Sequence, residues 1–198
     1  RERPEAGVYY PWMGKSSRAF LWALLLAGCG GGDSGEDEAA DIPAPPGNTE
    51  RTYSNGHPLS TPTSDAALLS VEEELLTLTN NHRVALGLSA LIHEVPVRDV
   101  ARAHAKHMVV HDFFDHANPE GDSPGGRLTR AGISWTAVGE NIAAGQASAQ
   151  DAFQAWLASA GHRANIENTA WTHLENGYWN DPSDGGSSPT SAILCRSS

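Results

Sequence analysis

The sequence predicts an α/β domain: a three-layer α/β/α sandwich in which helices cover both sides of a small antiparallel sheet. Three observations carry that expectation. Apolar residues recur at helical spacing over about residues 70–87, 96–112 and 148–160. Strand-type segments come late, at about 171–178 and 191–196, around a loop rich in Gly and Ser. Between the helices lies a stretch of turn residues in which the chemically capable side chains are flanked by Gly, Asn and Arg. With 198 residues, 39% of them hydrophobic, the chain can bury one ordinary core and has little material for a second.

The chain order begins with a targeting segment. Met13 is followed by Lys15, Arg18 and an apolar run over residues 19–26, a basic and then apolar pattern too short to span a membrane as a mature helix. Residues 1–12 are expected to precede the true start. The series Leu26-Ala27-Gly28-Cys29 resembles the bacterial lipobox, which implies that Cys29 is acylated and becomes the first mature residue. Gly30 rather than Asp follows it, which by the same resemblance implies the outer membrane of a Gram-negative bacterium; a secreted protein is the other expectation.

Residues 29–69 read as the lipidated cysteine and a disordered tether, with Asp33, Glu36, Asp37, Glu38 and Asp41 close together and Pro43, Pro45 and Pro46 after them. Such a composition cannot bury enough apolar surface to offset chain entropy. About 40 residues of flexible chain reach roughly 35 Å, enough to hold a domain clear of a lipid surface. The expected organisation is therefore upstream residues and signal peptide over 1–28, tether over 29–69 and folded domain over 70–198. An acylated Cys29 leaves Cys195 without a disulfide partner.

In the first helix Ser70 and Glu73 read as a capping box, Val71, Leu75, Leu78, His82 and Ala85 as the apolar face, and Gly87 as the C-cap. Asn81 and Arg83 near its end read as structural. Pro96 opens the second helix, with Val97, Ala101, Ala105 and Met108 facing inward. His104, His107 and His111 share a face at i, i+3 and i+7, a spacing that suggests a metal. Helical zinc sites usually add a ligand from elsewhere and a catalytic carboxylate, as in H-E-x-x-H, which is absent. The packed reading is therefore preferred, with His104 buried and His107 and His111 exposed.

The run from Asp115 to Pro124 is turn chemistry and puts His116 on an irregular segment. Ser123 and Pro124 start a short helix that stops at Gly132. Residues 133–138 read as a bridge into Gly139-Glu140-Asn141-Ile142, where a partly buried Glu140 would need a histidine or a cation as partner. Ser148 caps the next helix, whose stripe is Ala149, Phe153, Trp156 and Leu157. Gly161 is expected to break it and present His162 at a bend, unless that ring caps the helix or bonds the Asn165 backbone. Arg163 and Asn165 read as ties for the turn. Cys195 falls in the last strand as a buried thiol.

The ordered series Phe114-Asp115-His116, Gly139-Glu140-Asn141-Ile142 and Trp156 through Ser159-Ala160-Gly161-His162-Arg163-Ala164-Asn165-Ile166 resembles the bacterial branch of the CAP superfamily. That superfamily includes cysteine-rich secretory proteins, insect antigen 5 and plant pathogenesis-related proteins. The likeness runs from about residue 75 to at least residue 166 and implies the same sandwich. It also implies a cleft of two histidines and two glutamates able to hold a divalent cation. His116 matches the first histidine and Glu140 the glutamate of G-E-N. Ser159 replaces the eukaryotic W-x-x-E glutamate, and the G-H-x-T-Q histidine has no counterpart in the last strands. His162 is the candidate substitute, giving a possible zinc site of His116, Glu140 and His162.

Charge narrows the function classes. A formal net charge of -11, with 8 Lys and Arg against 15 Asp and Glu from Ser70 onward, disfavours a nucleic-acid partner. No G-x-S-x-G nucleophile motif is present, and Cys195 lies far from the histidine motifs. The sequence thus favours a surface-tethered binding or scaffold module for a cell-wall, lipid or protein ligand. The alternative is a metal-assisted hydrolase acting on a cell-envelope or extracellular substrate.

Overall fold

The computed structural model describes residues 64–180 and 190–197. The signal-peptide, Cys29 and tether expectations up to residue 63, and the loop residues 181–189, lie outside them. The elements are α1 (Ala66–Ala85), α2 (Val95–Val110), α3 (Pro124–Arg130), β1 (Trp135–Ala143), α4 (Ala149–Ala158), α5 (Ala160–Glu167), β2 (His173–Tyr178) and β3 (Thr190–Ser197). The strands form an antiparallel sheet in the order β1-β3-β2. Helices pack on both faces, so the expected sandwich is what forms.

One face is covered by α1, α4 and α5: Leu75, Ala152, Phe153, Trp156 and Ile166 pack with Leu174 of β2 and Ala143 of β1. Trp156 also donates its indole N–H to the Ile142 carbonyl at 3.1 Å. The opposite face carries Val97, Val100 and Ala101 of α2 and Leu128 of α3 against Ile193 and Cys195 of β3. Gly177 lets α2 sit directly on β2, since a Cβ there would meet the Ala101 and Arg102 backbone at 2.0–2.1 Å. The thiol of Cys195 is free and buried, as read.

Caps fall largely where turn chemistry put them. Ser123 accepts from the Gly126 amide and Ser148 from the Asp151 amide. After α1, Gly87 takes φ +76°, while the Gly87 and Leu88 amides bond back to the Val84 and Arg83 carbonyls. The beginning of α1 differs from the expectation: Asp65, not Ser70, is the N-cap, with its carboxylate accepting from the Ala67 amide at 2.8 Å. Its fully buried residues are Leu68, Glu72, Leu75, Thr79 and Arg83; of the expected stripe Leu75 is among them, Val71 and Leu78 pack partly buried against the same core, and Ala85 is exposed. Glu72 and Arg83 are buried for their bonds. Glu72 takes Arg102 and the Tyr178 amide; Arg83 donates to the carbonyls of Ser89, Ile166 and Asn168.

Three further expectations change. His107 is fully buried, not exposed, because the loop after α2 folds over the helix: its ring meets Phe113 edge-on at 5.2 Å, and Glu120 lies 3.7 Å from its Nε2. His111 is exposed as expected. Residues 135–143, read as a bridge and a turn, are the edge strand β1. Gly161 does not end the helix. The break is at Ser159 (φ -90°, ψ 123°), and a new helix, α5, runs on through His162 and Arg163.

Candidate functional site

The site forms where the loop after α2, α3, β1 and α5 meet. His116 lies on the irregular segment, Glu140 on β1 and His162 in the first turn of α5. Only His116 is therefore at a bend; the other two are held by regular elements. On β1 the side chain of Glu140 is buried. It belongs to the strand row that includes Ile193 and lies on the α2 side of the sheet.

A buried carboxylate needs compensation, and here it comes from two groups. His116 Nδ1 lies 2.9 Å from Glu140 Oε2, and Arg127 donates to Oε1 at 2.6 Å. Arg127 also donates to the His116 carbonyl at 2.6 Å and to the Asp122 carbonyl at 3.3 Å, fixing the loop to the strand. Burial alone would raise the Glu140 pKa; Arg127, His104 and His116 together outweigh it and hold the carboxyl at about 2. Glu140 is thus ionised, so His116 must offer it an Nδ1–H. Its Nε2 belongs to a side chain that is 49% exposed.

His104 stands behind this pair. Its Nε2 donates to the Asp115 carbonyl at 3.0 Å, and burial drives its pKa down to about 4, so the ring is neutral. The α5 side is tied in by asparagines. Asn165 donates to the Glu140 carbonyl and to Asn141 Oδ1, and Asn141 Nδ2 donates to the His162 carbonyl at 3.1 Å. His162 is half-buried, and its pKa is lowered by burial and then by the nearby His116. Asn165 acts as the expected tie, whereas Arg163 is exposed.

The structure therefore brings His116 and Glu140 into direct contact and sets His162 beside them. Arg127 is the partner the sequence reading missed: the buried glutamate was expected to take a histidine or a cation, and it takes a histidine and a guanidinium. The available signal was an arginine beside Leu128 in a helix too short to have a fully exposed face. Both Glu140 oxygens are engaged, and a full positive charge occupies one of them. Among the described residues no group of three or more His, Cys, Asp or Glu side chains is arranged to hold a metal ion. The residues present do not fit a zinc ion bound through Glu140. A cavity of about 50 Å³, lined by Val71, Ser148, Ala149, Ala152 and Tyr178 among others, contains none of these residues.

Fold and site together define an α/β/α domain whose sheet presents a buried glutamate, paired with arginine, to a half-exposed histidine. The chain belongs to the CAP family, the cysteine-rich secretory protein family, whose model matches residues 76–185. It is 35% identical over 119 residues to the uncharacterized protein YkwD of Bacillus subtilis (strain 168), a match covering 60% of this chain and 46% of that protein. It is also 35% identical over 103 residues to the uncharacterized membrane protein YlbC of the same organism, covering 52% of this chain and 30% of that protein. The chain thus spans less than half the length of either relative. A crystal structure of an extracellular protein containing an SCP domain from Bacillus anthracis matches with TM-score 0.61 and 29% identity, over 69% of this chain and 45% of that one. An outer surface protein from Borrelia burgdorferi shares the fold with TM-score 0.61 and 16% identity, over 70% of this chain and 99% of its own.

Proposed function

We propose that this is a binding module held at the extracytoplasmic surface, anchored through Cys29, whose cleft at His116, Glu140 and His162 takes an envelope or extracellular ligand. The observation that supports it most is the state of Glu140. A carboxylate neutralised by Arg127 and spent on orienting His116 presents a rigid recognition surface, with Nε2 as its exposed contact. The site has an imidazole–carboxylate pair but no activated nucleophile: among the described residues, no Ser, Thr or Cys side chain is bonded to the His116 ring. The extracellular and outer-surface descriptions of the two structural matches agree with this location.

The test is sedimentation of the full chain, in mild detergent, with isolated peptidoglycan sacculi, which detergent leaves intact. The sacculi should retain the wild type, and His116→Ala should weaken retention about tenfold, the scale of one hydrogen bond to a polar ligand group. Equal retention of the two proteins would remove His116 from the binding surface. Release of soluble fragments from the sacculi, increased by added zinc and lost in His116→Ala, would replace the proposal with the metal-assisted hydrolase.

A further inference from the structure

The side chains of Arg127 on α3 and Glu140 on β1 are each 1% exposed, so neither meets a ligand directly. The pair nevertheless stands one bond behind the half-exposed ring of His116. What passes outward along Arg127, Glu140 and His116 is a direction of hydrogen bonding.

A guanidinium carries only donors, so the Glu140 oxygen 2.6 Å from Arg127 must accept. Arg127 is held in that pose by two further donations, to the carbonyls of His116 and Asp122. Beside this cation the carboxylate is ionised, its second oxygen is an acceptor too, and the ring nitrogen 2.9 Å away has to be an Nδ1–H. A neutral imidazole has one ring proton, so fixing it at Nδ1 leaves a lone pair at Nε2. The backbone under the ring is fastened on both sides: the Asp115 carbonyl accepts from His104 Nε2 at 3.0 Å, and the Asp115 carboxylate accepts from the Ala117 amide at 2.9 Å.

We propose, resting on the reading of this cleft as a binding site, that Arg127 is a positioning residue that sets its specificity. Through Glu140 it fixes the His116 tautomer with a bare acceptor at Nε2, so the ligand group seated there is a hydroxyl or an amide N–H, not a carboxylate or phosphate oxygen. An anionic oxygen would face the Nε2 lone pair with no proton between them, and the charge of Arg127 is spent on Glu140 behind the ring. A hydroxyl or N–H meets the same lone pair as a donor. Peptidoglycan carries both kinds of donor, in its sugar hydroxyls and its peptide amides.

Glu140→Gln reverses this polarity with little change of shape. Arg127 still demands an acceptor, so the carboxamide oxygen faces it and the NH2 faces His116. The ring must then accept at Nδ1 and carry its proton at Nε2, which becomes a donor toward the ligand. Adding Arg127→Met removes the demand, the carboxamide can face either way, and both tautomers form.

The test is nitrogen NMR of the full chain labelled with ¹⁵N-histidine, in mild detergent at about pH 8, above the ordinary imidazole range. Retention on peptidoglycan sacculi is measured for the same proteins. The His116 signals, assigned by their loss in His116→Ala, should show Nδ1–H in the wild type, Nε2–H in Glu140→Gln and a mixture in the double variant. Glu140→Gln should lose about tenfold in retention, as His116→Ala does, although its ring is still in place. Peptide-free glycan strands should compete with the sacculi where the donor is a sugar hydroxyl, and released stem peptides where it is a peptide N–H. A wild-type ring with its proton at Nε2 overturns the proposal. So does a double variant that keeps the single tautomer of Glu140→Gln, or a Glu140→Gln chain with an inverted ring that binds as the wild type does. Should Glu140→Gln fail to fold, the wild-type Nε2 signal decides: a lone-pair nitrogen that shifts on adding the competing fragment supports the proposal, and one that stays fixed removes it. A wild-type chain that no sacculus retains removes the binding reading and the ligand class with it, whereas the tautomers still decide what Arg127 does.

Discussion

Arg127 and Glu140 make one buried ion pair whose members depend on each other. Arg127→Ala would leave the Glu140 carboxylate in the interior without its guanidinium, a loss of about 3–5 kcal/mol. Glu140→Gln together with Arg127→Met should cost much less, because neither charge is then stranded; thermal unfolding of both variants checks this ordering. Acid acts on the same cluster through two groups of opposite kind. His104, lowered to about 4, must be protonated against its burial, so the stability it contributes disappears as pH falls from its ordinary 6.5 toward 4. Glu140, held at about 2, contributes stability above its ordinary 4.5 that is lost as pH falls toward 2. His104→Gln keeps a donor for the Asp115 carbonyl and should flatten the loss between pH 6.5 and 4 in denaturant titrations while leaving the lower one. Loss of stability unchanged in the upper window would show that His104 is not the group titrating there. At this scale the sequence showed that Glu140 would need a partner and that His116 would sit on a loop. It did not show Arg127, because a pairing across 13 residues, between a helix and a strand, leaves no periodic trace.

Helices with clear caps were legible: Ser123 and Ser148 each sit where a side-chain oxygen must meet an open amide. The strand β1 was not. Glu140 and Asn141 are both buried, on opposite faces, so the alternation of apolar and polar residues that marks a half-buried strand is missing. Its partner β3 lies some fifty residues downstream, and pairing of that range is set by tertiary structure. On α1 the apolar expectation holds for Leu75, Val71 and Leu78 but leaves out the buried Glu72, Thr79 and Arg83, for a related reason. Where apolar residues do face the core, the expectation holds: Trp156 and Phe153 of α4 join α1 and the sheet. Trp156→Ala should cost about 3–5 kcal/mol through the cavity it leaves, whereas His111→Ala on the exposed end of α2 should be nearly neutral. Comparable shifts in the thermal midpoint of the two variants would mean that α4 does not hold that core.

For the molecule as a whole, charge and the N-terminal sequence bear on where the domain works. A chain of net charge -11 is repelled by an anionic lipid surface, so attachment to a membrane requires a covalent or inserted anchor rather than electrostatic adhesion. Cys29, directly after the apolar run and ahead of an acidic, proline-containing segment, is the residue proposed to carry one. One acyl chain gives only marginal, reversible binding, so the stable anchoring expected of a lipoprotein needs more than one chain at this cysteine. In detergent phase separation the wild-type chain should therefore enter the detergent phase, and Cys29→Ser should move it to the aqueous phase or halt its processing at the larger precursor. Because the described domain starts at residue 64, the substitution should leave the thermal midpoint unchanged, which separates loss of the anchor from loss of the fold. A Cys29→Ser chain that is processed normally and still partitions into detergent would place the membrane attachment elsewhere in the chain and leave residues 26–29 an ordinary signal-peptide end.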